Sequence, residues 1–150
     1  MRHPMITVLV SALAFAFPQM SSAEMLISEA EAKLPQSGDS SMATRGVTRG
    51  PGIELVSPAP GTKNINSPLP LKIKFVGRNS VPIDTASVKI TYLRTPSVDL
   101  TERVKAHLTK DGIDMAQADV PPGNHLIRID VKDTEGRSAS STITLLVVPK

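Results

Sequence analysis

Residues 124–148, NHLIRIDVKDTEGRSASSTITLLVV, decide the fold class. Alternate residues in the first part are predicted to face one side, namely His125, Ile127, Ile129 and Val131, and this period of two indicates a half-buried β-strand. Residues 133–136 supply a hairpin loop with glycine where a positive φ is wanted. Residues 141–148 predict the last strand, which is apolar on both faces near its end, as for a strand that is covered on both sides or lies in a core.

The same alternation recurs earlier in the chain. Residues 69–76 and 87–93 predict two more half-buried strands, with these side chains facing inward: Leu69, Leu71, Ile73, Phe75, Val88, Ile90 and Tyr92. Residues 53–57 form a short β-prone run, and 113–118 predict a short edge strand. Pro- and Gly-rich turns separate the strands. This pattern predicts an all-β fold, a single β-sandwich.

Residues 99–109 predict the one short helix of this sandwich. Leu100, Val104 and Leu108 recur every four residues on one stripe, and Asp99 with Glu102 has capping-box spacing. We expect this helix to cover an end of the sandwich, although a partner-binding helix would show the same pattern.

Residues 1–23 predict a cleavable secretory signal peptide. Arg2 and His3 precede an uncharged run at 5–17, and small residues favour a cut after Ala23. The run is shorter than the roughly 20 apolar residues that a membrane anchor needs, and a chain without cysteine has no thiol for lipid attachment. We therefore expect a periplasmic or secreted protein with no integral membrane segment after signal cleavage.

Three regions follow from this reading: the signal peptide at 1–23, a short helix and flexible linker at 24–52, and the sandwich domain at 53–150. Ser28 and Glu31 have the spacing of a capping box. A docked helix and a frayed tail are both open at this point. Residues 36–52 are rich in Gly, Ser and Thr without an apolar period, which is typical of a linker.

Composition excludes several classes of function. Removal of the signal leaves 127 residues with a net charge of about +2 and no basic block, so no nucleic-acid partner is expected. The mature chain keeps Phe75 and Tyr92 as its aromatic residues and has no Trp. Its core must therefore be aliphatic, and aromatic stacking on sugars is poorly supported.

No catalytic constellation is apparent, so we expect a protein that is not an enzyme and has no cofactor. The chain has no cysteine nucleophile, no G-x-S-x-G, no H-E-x-x-H and no Gly-rich phosphate loop. Weak candidates for a metal site are Asp130, Asp133, Glu135 and His125. A turn in which Asp133 bonds its own backbone explains that residue without a metal, and Lys132 and Arg137 would oppose a cation. We expect no metal.

Three phrases resemble bacterial immunoglobulin-like domains of the fibronectin III or Ig type, which occur in many exported proteins. They are SPAPG at 57–61, IDTASVKI at 83–90, and PGNH at 122–125 leading to VKDTEGR at 131–137. The resemblance covers roughly residues 53–148 and implies an immunoglobulin-like sandwich. The helix at 99–109 departs from a plain domain of this type.

A second resemblance is to the periplasmic copper-resistance carriers, which are also small exported sandwiches. SPLPLKIKF at 67–75 is similar to their opening strand. Those carriers share a mature amino-terminal His and further His or Met ligands. This chain would begin at Glu24, and its mature part offers the following scattered residues: His107, His125, Met25, Met42 and Met115. The resemblance implies a shared architecture without a visible copper site.

The sequence thus predicts an exported, non-catalytic immunoglobulin-like protein that acts as a protein-interaction or accessory module. Its partner would be another protein, contacted at the linker or at exposed strand edges, for example by strand addition. The alternative is a small periplasmic ligand or metal carrier. Titration with Cu(II) and Ca(II) separates the two.

Overall fold

The computed structural model describes residues 22–38 and 49–150. The predicted signal peptide lies outside these residues apart from Ser22 and Ala23, which are exposed, and most of the predicted linker also lies outside them. The described strands, in chain order, are β1 (Glu24–Met25), β2 (Gly52–Ser57), β3 (Leu69–Val76), β4 (Ile83–Tyr92), β5 (Val98–Asp99), β6 (Leu108–Thr109), β7 (Gly112–Asp119), β8 (Gly123–Asp133) and β9 (Ser138–Val147). The helices are α1 (Glu29–Ala32) and α2 (Thr101–Val104), with 3₁₀ turns at Arg78–Ser80 and Lys105–His107.

The strands form two sheets, which confirms the all-β prediction. One sheet has the order β2, β3, β7, with β1 and β6 both pairing with the far side of β7. The other sheet has the order β5, β4, β8, β9. Every pairing between neighbouring strands is antiparallel except that of β1 with β7, which is parallel.

An aliphatic core fills the space between the sheets. The predicted inward faces of β3, β4 and β8 are confirmed, since their alternate residues are buried: Leu69, Leu71, Ile73, Phe75, Val88, Ile90, Tyr92, His125, Ile127, Ile129 and Val131. Inward side chains of β7 and β9 complete the core: Ile113, Met115, Ala118, Ile143, Leu145 and Val147. Phe75 and Tyr92 are both buried, so neither aromatic ring is offered to a ligand.

Two predictions about strand position are wrong. The predicted edge strand at 113–118 is the centre of its sheet, because β7 pairs with β3 on one side and with β1 and β6 on the other. The predicted covered strand at 141–148 is β9, which lies at a sheet edge. Its second apolar face is exposed in part, with Leu146 at 36 % exposure. Apolar residues on both faces indicated that both faces of the strand are buried. In the structure the outer face is partly exposed, and the position of β9 at the edge follows from its pairing with β8 alone.

The predicted helix is present but shorter than residues 99–109. α2 continues into the 3₁₀ turn Lys105–His107, and Leu100 and Val104 are buried against the core. The capping box predicted for Asp99 and Glu102 is wrong. The cap position is Leu100, and the Asp99 carboxylate instead accepts a hydrogen bond from Thr101 N at 2.9 Å.

The amino-terminal arm, residues 24–37, is docked and crosses between the two sheets. β1 pairs with β7 in the first sheet, and Leu26 and Ile27 are buried. At the other end, Thr95 N donates to Pro35 O at 2.9 Å beside the second sheet. The Ser28–Glu31 capping box is formed, with bonds of 2.9 and 3.3 Å. The arm therefore behaves as part of the packed domain.

Candidate functional site

The edge of β9 that faces away from β8 is largely unpaired within the described residues. On one side β9 is bonded to β8 along its whole length without a register shift. On the other side the chain is covered at two points. Ile65 N donates to Leu146 O and Ile65 O accepts from Val148 N, both at 2.9 Å. At the opposite end, Gly50 packs against the carbonyl oxygen of Ser138.

Because main-chain groups alternate in direction along a strand, we can identify those that face the open side between Gly50 and Ile65. Leu146 O and Val148 N point away from β8, and along a strand every second residue points the same way. The N–H and C=O groups of Ser140, Thr142 and Thr144 therefore face the open side. Within residues 22–38 and 49–150, no main-chain partner bonds to them on that side. We call residues 140–144 the open slot; it is about 13 Å long at 3.3 Å per residue.

β9 itself lacks the features by which proteins protect sheet edges, although Pro60 and Lys63 of a neighbouring loop line the groove beside it. Edges are normally blunted by charge, proline, bulges or shortness. β9 has ten residues, SASSTITLLV, with no charged residue and no proline.

The other edges in the described structure have such protection. β2 carries Glu54 and a register shift between Leu55 and Ser57, and β1, β5 and β6 have two residues each. The register of β4 shifts between the charged residues Asp84 and Lys89. β9 therefore differs from the other edge strands, since it is long, regular and uncharged.

A groove of about 470 Å³ runs beside the open slot. Its lining comes from β9, from residues 60–63 and from Leu55 of β2. Leu55 is half-buried and packs on the rim of the core, so it forms an apolar wall at the seam between the two sheets. Leu146, which is 36 % exposed, also lines this groove. The slot thus combines unpaired main-chain groups with apolar side chains.

The outer face of the second sheet carries a separate polar groove of about 780 Å³. Arg128 crosses it, with Nε donating to Asp130 Oδ1 and to Ser140 Oγ, both at 3.1 Å. Lys89 lies opposite Asp130 on the neighbouring strand. The charges in this groove are therefore mixed and largely paired, which gives no preference for a charged ligand.

The hairpin acids predicted as weak metal candidates are occupied by other bonds. Asp133 Oδ1 accepts from Glu135 N at 3.0 Å and from Arg137 N at 2.9 Å, and Asp133 Oδ2 accepts from Arg137 Nε at 2.7 Å. Burial raises the pKa of the Asp133 carboxyl, but the hydrogen bonds from Arg137 outweigh it and hold that pKa below its usual value. The carboxylate therefore serves the turn.

Asp130 pairs with Arg128, and Glu135 lies 2.9 Å from Arg137 Nη2. Among residues 22–38 and 49–150, no three His, Cys, Asp or Glu side chains come together in a group that could hold a metal ion. The four candidates are thus distributed between the hairpin, the outer face of β8 and the core.

His125, the fourth candidate, lies in a buried polar chain. Arg94 Nε donates to Tyr92 Oη at 2.7 Å, and Tyr92 Oη lies 2.8 Å from His125 Nδ1. On its other side, His125 Nε2 lies 2.7 Å from Pro121 O. A neutral ring that donates through Nε2 and accepts at Nδ1 satisfies every atom. Burial lowers the pKa of His125, which favours this neutral form.

Ligands of the carrier type are similarly dispersed. Met115 is buried in the core, Met25 is 58 % exposed on β1, and Met42 lies outside the described residues. His107 contacts Glu24 at the start of the arm. Met25 is thus at the surface, whereas Met115 and His125 are buried.

The open slot was not identified from the sequence as a particular edge. The usable signal was the run of ten residues without charge or proline at 138–147, which an edge strand rarely tolerates. The strand order needed to interpret that signal is a property of the fold.

Comparison of the chain with protein-family models, curated proteins and solved structures finds no match. Function is therefore inferred from geometry. Helices long and apolar enough to cross a membrane do not occur in the described part of the chain.

Proposed function

We propose that this protein is an exported, non-catalytic immunoglobulin-like module that binds another protein at the edge of β9. The observation that carries the proposal is the open slot, where Ser140, Thr142 and Thr144 present main-chain groups that no described residue bonds, beside an apolar groove. Strand edges of this kind bind extended chains through main-chain hydrogen bonds.

The immunoglobulin-like assignment is supported by strand order. In immunoglobulin sandwiches the strands A, B and E share one sheet, and C, F and G share the other. Here β2, β3 and β7 are neighbours in one sheet and β4, β8 and β9 are neighbours in the other, in the matching chain order. β9 would then be the G strand, which is an edge strand in that fold.

Export is supported by the position of the first described strand and core residue. β1 starts at Glu24, directly after the predicted cut at Ala23, and Leu26 is the first fully buried residue of the described chain. A cut there would remove no described strand or core residue. The mass of the protein recovered from a periplasmic or culture fraction tests this proposal. It predicts a chain that begins at Glu24, and a product that retains Met1 would contradict it.

Photo-crosslinking in the producing cell tests the interaction. A photoreactive residue is placed at Thr144 in the open slot or, as a matched control, at Thr85 on β4 of the same sheet. We expect a protein adduct from position 144 that disappears when Thr142→Pro is added, and no adduct from position 85. Equal adducts at both positions, or none at 144, would contradict the proposal.

A further inference from the structure

We propose that the open slot takes an extended, unfolded segment of about five residues from a partner protein, with apolar side chains at its second and fourth positions. This inference rests on the proposed function and specifies the partner. It follows from the length of the slot, from its closed ends and from the direction of side chains along an added strand.

The closed ends exclude a long, straight strand. Gly50 covers the edge at Ser138, and Ile65 covers it at Leu146. A strand paired with β9 beyond 140–144 would occupy the space of these two residues. A strand within a folded sheet, including β9 of a second copy, has neighbours that hold it straight. A flexible segment can bend away at each end, so it fits.

The main-chain bonds set the register of the segment. Its first, third and fifth residues would lie opposite Ser140, Thr142 and Thr144, whose N–H and C=O groups face the slot. In an antiparallel ladder each such pair exchanges two hydrogen bonds. Directly opposed residues share a face of the sheet, so these three side chains would join the exposed hydroxyl groups of β9.

The second and fourth residues of the segment would lie opposite Ser141 and Ile143, and their side chains would point toward the seam between the sheets. Ile143 is 6 % exposed, and Leu55 across the seam is half-buried. Apolar side chains at these two positions would cover Leu55 and remove it from water, which is favourable. The segment therefore alternates hydroxyl or polar residues with aliphatic ones.

A designed peptide tests the inference. The probe is acetyl-KTVTVTK-amide, titrated into ¹⁵N-labelled mature protein, with acetyl-KTSTSTK-amide as the control that lacks the aliphatic side chains. We expect amide shifts concentrated at Thr142, Thr144 and Leu55, with binding at least about a hundredfold weaker for the control peptide, as loss of two buried valine side chains implies.

Variants of the protein distinguish binding in the slot from nonspecific binding of the peptide. Thr142→Pro removes the N–H that faces the slot and leaves the bonds to β8, so the fold should persist, while peptide binding falls about tenfold or more. Thr142→Ser keeps that N–H and should bind as well as the parent. Equal binding of both peptides, or no effect of Thr142→Pro, would overturn the inference.

Two other outcomes distinguish this inference from the proposed function. If the peptide fails but Thr144 crosslinks to a folded partner, or if sedimentation shows a β9-dependent dimer, the inference is overturned and the interaction at the edge stands. If the slot amides are already protected from exchange in dilute protein, both are overturned, because a segment of the same chain then occupies the edge.

Discussion

Arg103 holds Glu31 with both guanidinium nitrogens. Nη1 donates to Oε2 at 2.8 Å and Nη2 donates to Oε1 at 2.6 Å, while Nη1 also donates to Leu26 O at 2.8 Å. This pair joins the amino-terminal arm to α2. The arm in turn contacts both sheets, so the ion pair helps to hold the arm in place across the sandwich.

Glu31→Gln should destabilise the protein in a pH-dependent manner. The side-chain hydrogen bond from Arg103 lowers the pKa of Glu31 from 4.5 to about 2. The stabilisation is therefore complete above about pH 4.5 and is lost as pH falls through about 2. The difference in unfolding free energy between parent and variant, measured by urea denaturation, should shrink over that window. Exposed Glu29→Gln is the matched control, and an equal pH dependence for both variants would contradict the prediction.

Tyr92→Phe should destabilise the fold by about 1–3 kcal/mol, the cost of leaving buried polar atoms unpaired. The hydroxyl group joins Arg94 Nε to His125 Nδ1, and both Tyr92 and His125 are fully buried. Phe keeps the ring and its packing, so urea denaturation should report a lower midpoint with an unchanged slope. An unaltered midpoint would show that the buried chain contributes nothing to stability.

Gly112→Ala should cost about 2 kcal/mol or more. Gly112 has φ of +144°, and an added Cβ would collide with the carbonyl oxygen of Ile73 on β3. Gly136→Ala is the matched control, since Gly136 has φ of +80° with open space around the added Cβ, and should cost about 1 kcal/mol. Thermal or urea unfolding of the two variants separates the cost of the steric collision at Gly112 from the cost of a positive φ, which both positions share. Equal losses would contradict the close approach of β7 to β3.

Cu(II) should not raise the melting temperature through His125. That ring is fully buried between Tyr92 and Pro121, and both of its nitrogens are engaged. Titration of the mature protein with Cu(II), followed by thermal unfolding of the parent and of His107→Gln, distinguishes the carrier alternative. A stoichiometric stabilisation that persists in His107→Gln would contradict the prediction for His125, and one that His107→Gln removes would favour a carrier over an interaction module.

Strand periodicity predicted the faces of β3, β4 and β8 because one face of each is buried and the other is solvated. The local pattern did not predict where β7 and β9 lie in their sheets. Whether a strand is central or at an edge depends on which distant segment pairs with it, as when β1 and β6 pair with β7. The capping box of α2 was predicted wrongly for a local reason, since the Asp99 carboxylate accepts from Thr101 N and not from Glu102 N, as a capping box requires.

The candidate site was accessible to sequence reasoning only in part. Exposed strand edges were expected to contact a partner. The ends of the slot, however, are set by Gly50 and Ile65, which are both far from β9 in the sequence. No local pattern places them at its ends. The hairpin acids attracted attention as ligands because they are close in sequence, whereas Arg137 and Arg128 engage Asp133 and Asp130.

Amide hydrogen exchange along β9 in dilute mature protein measures directly whether the edge at residues 140–144 is open. The amides of Thr142 and Thr144 face the open slot, and those of Ile143 and Leu145 face β8. If the slot is open, exchange is fast at 142 and 144 and slow at 143 and 145. Slow exchange at all four positions in the dilute, partner-free protein would mean that the edge is already occupied, and would contradict the proposal.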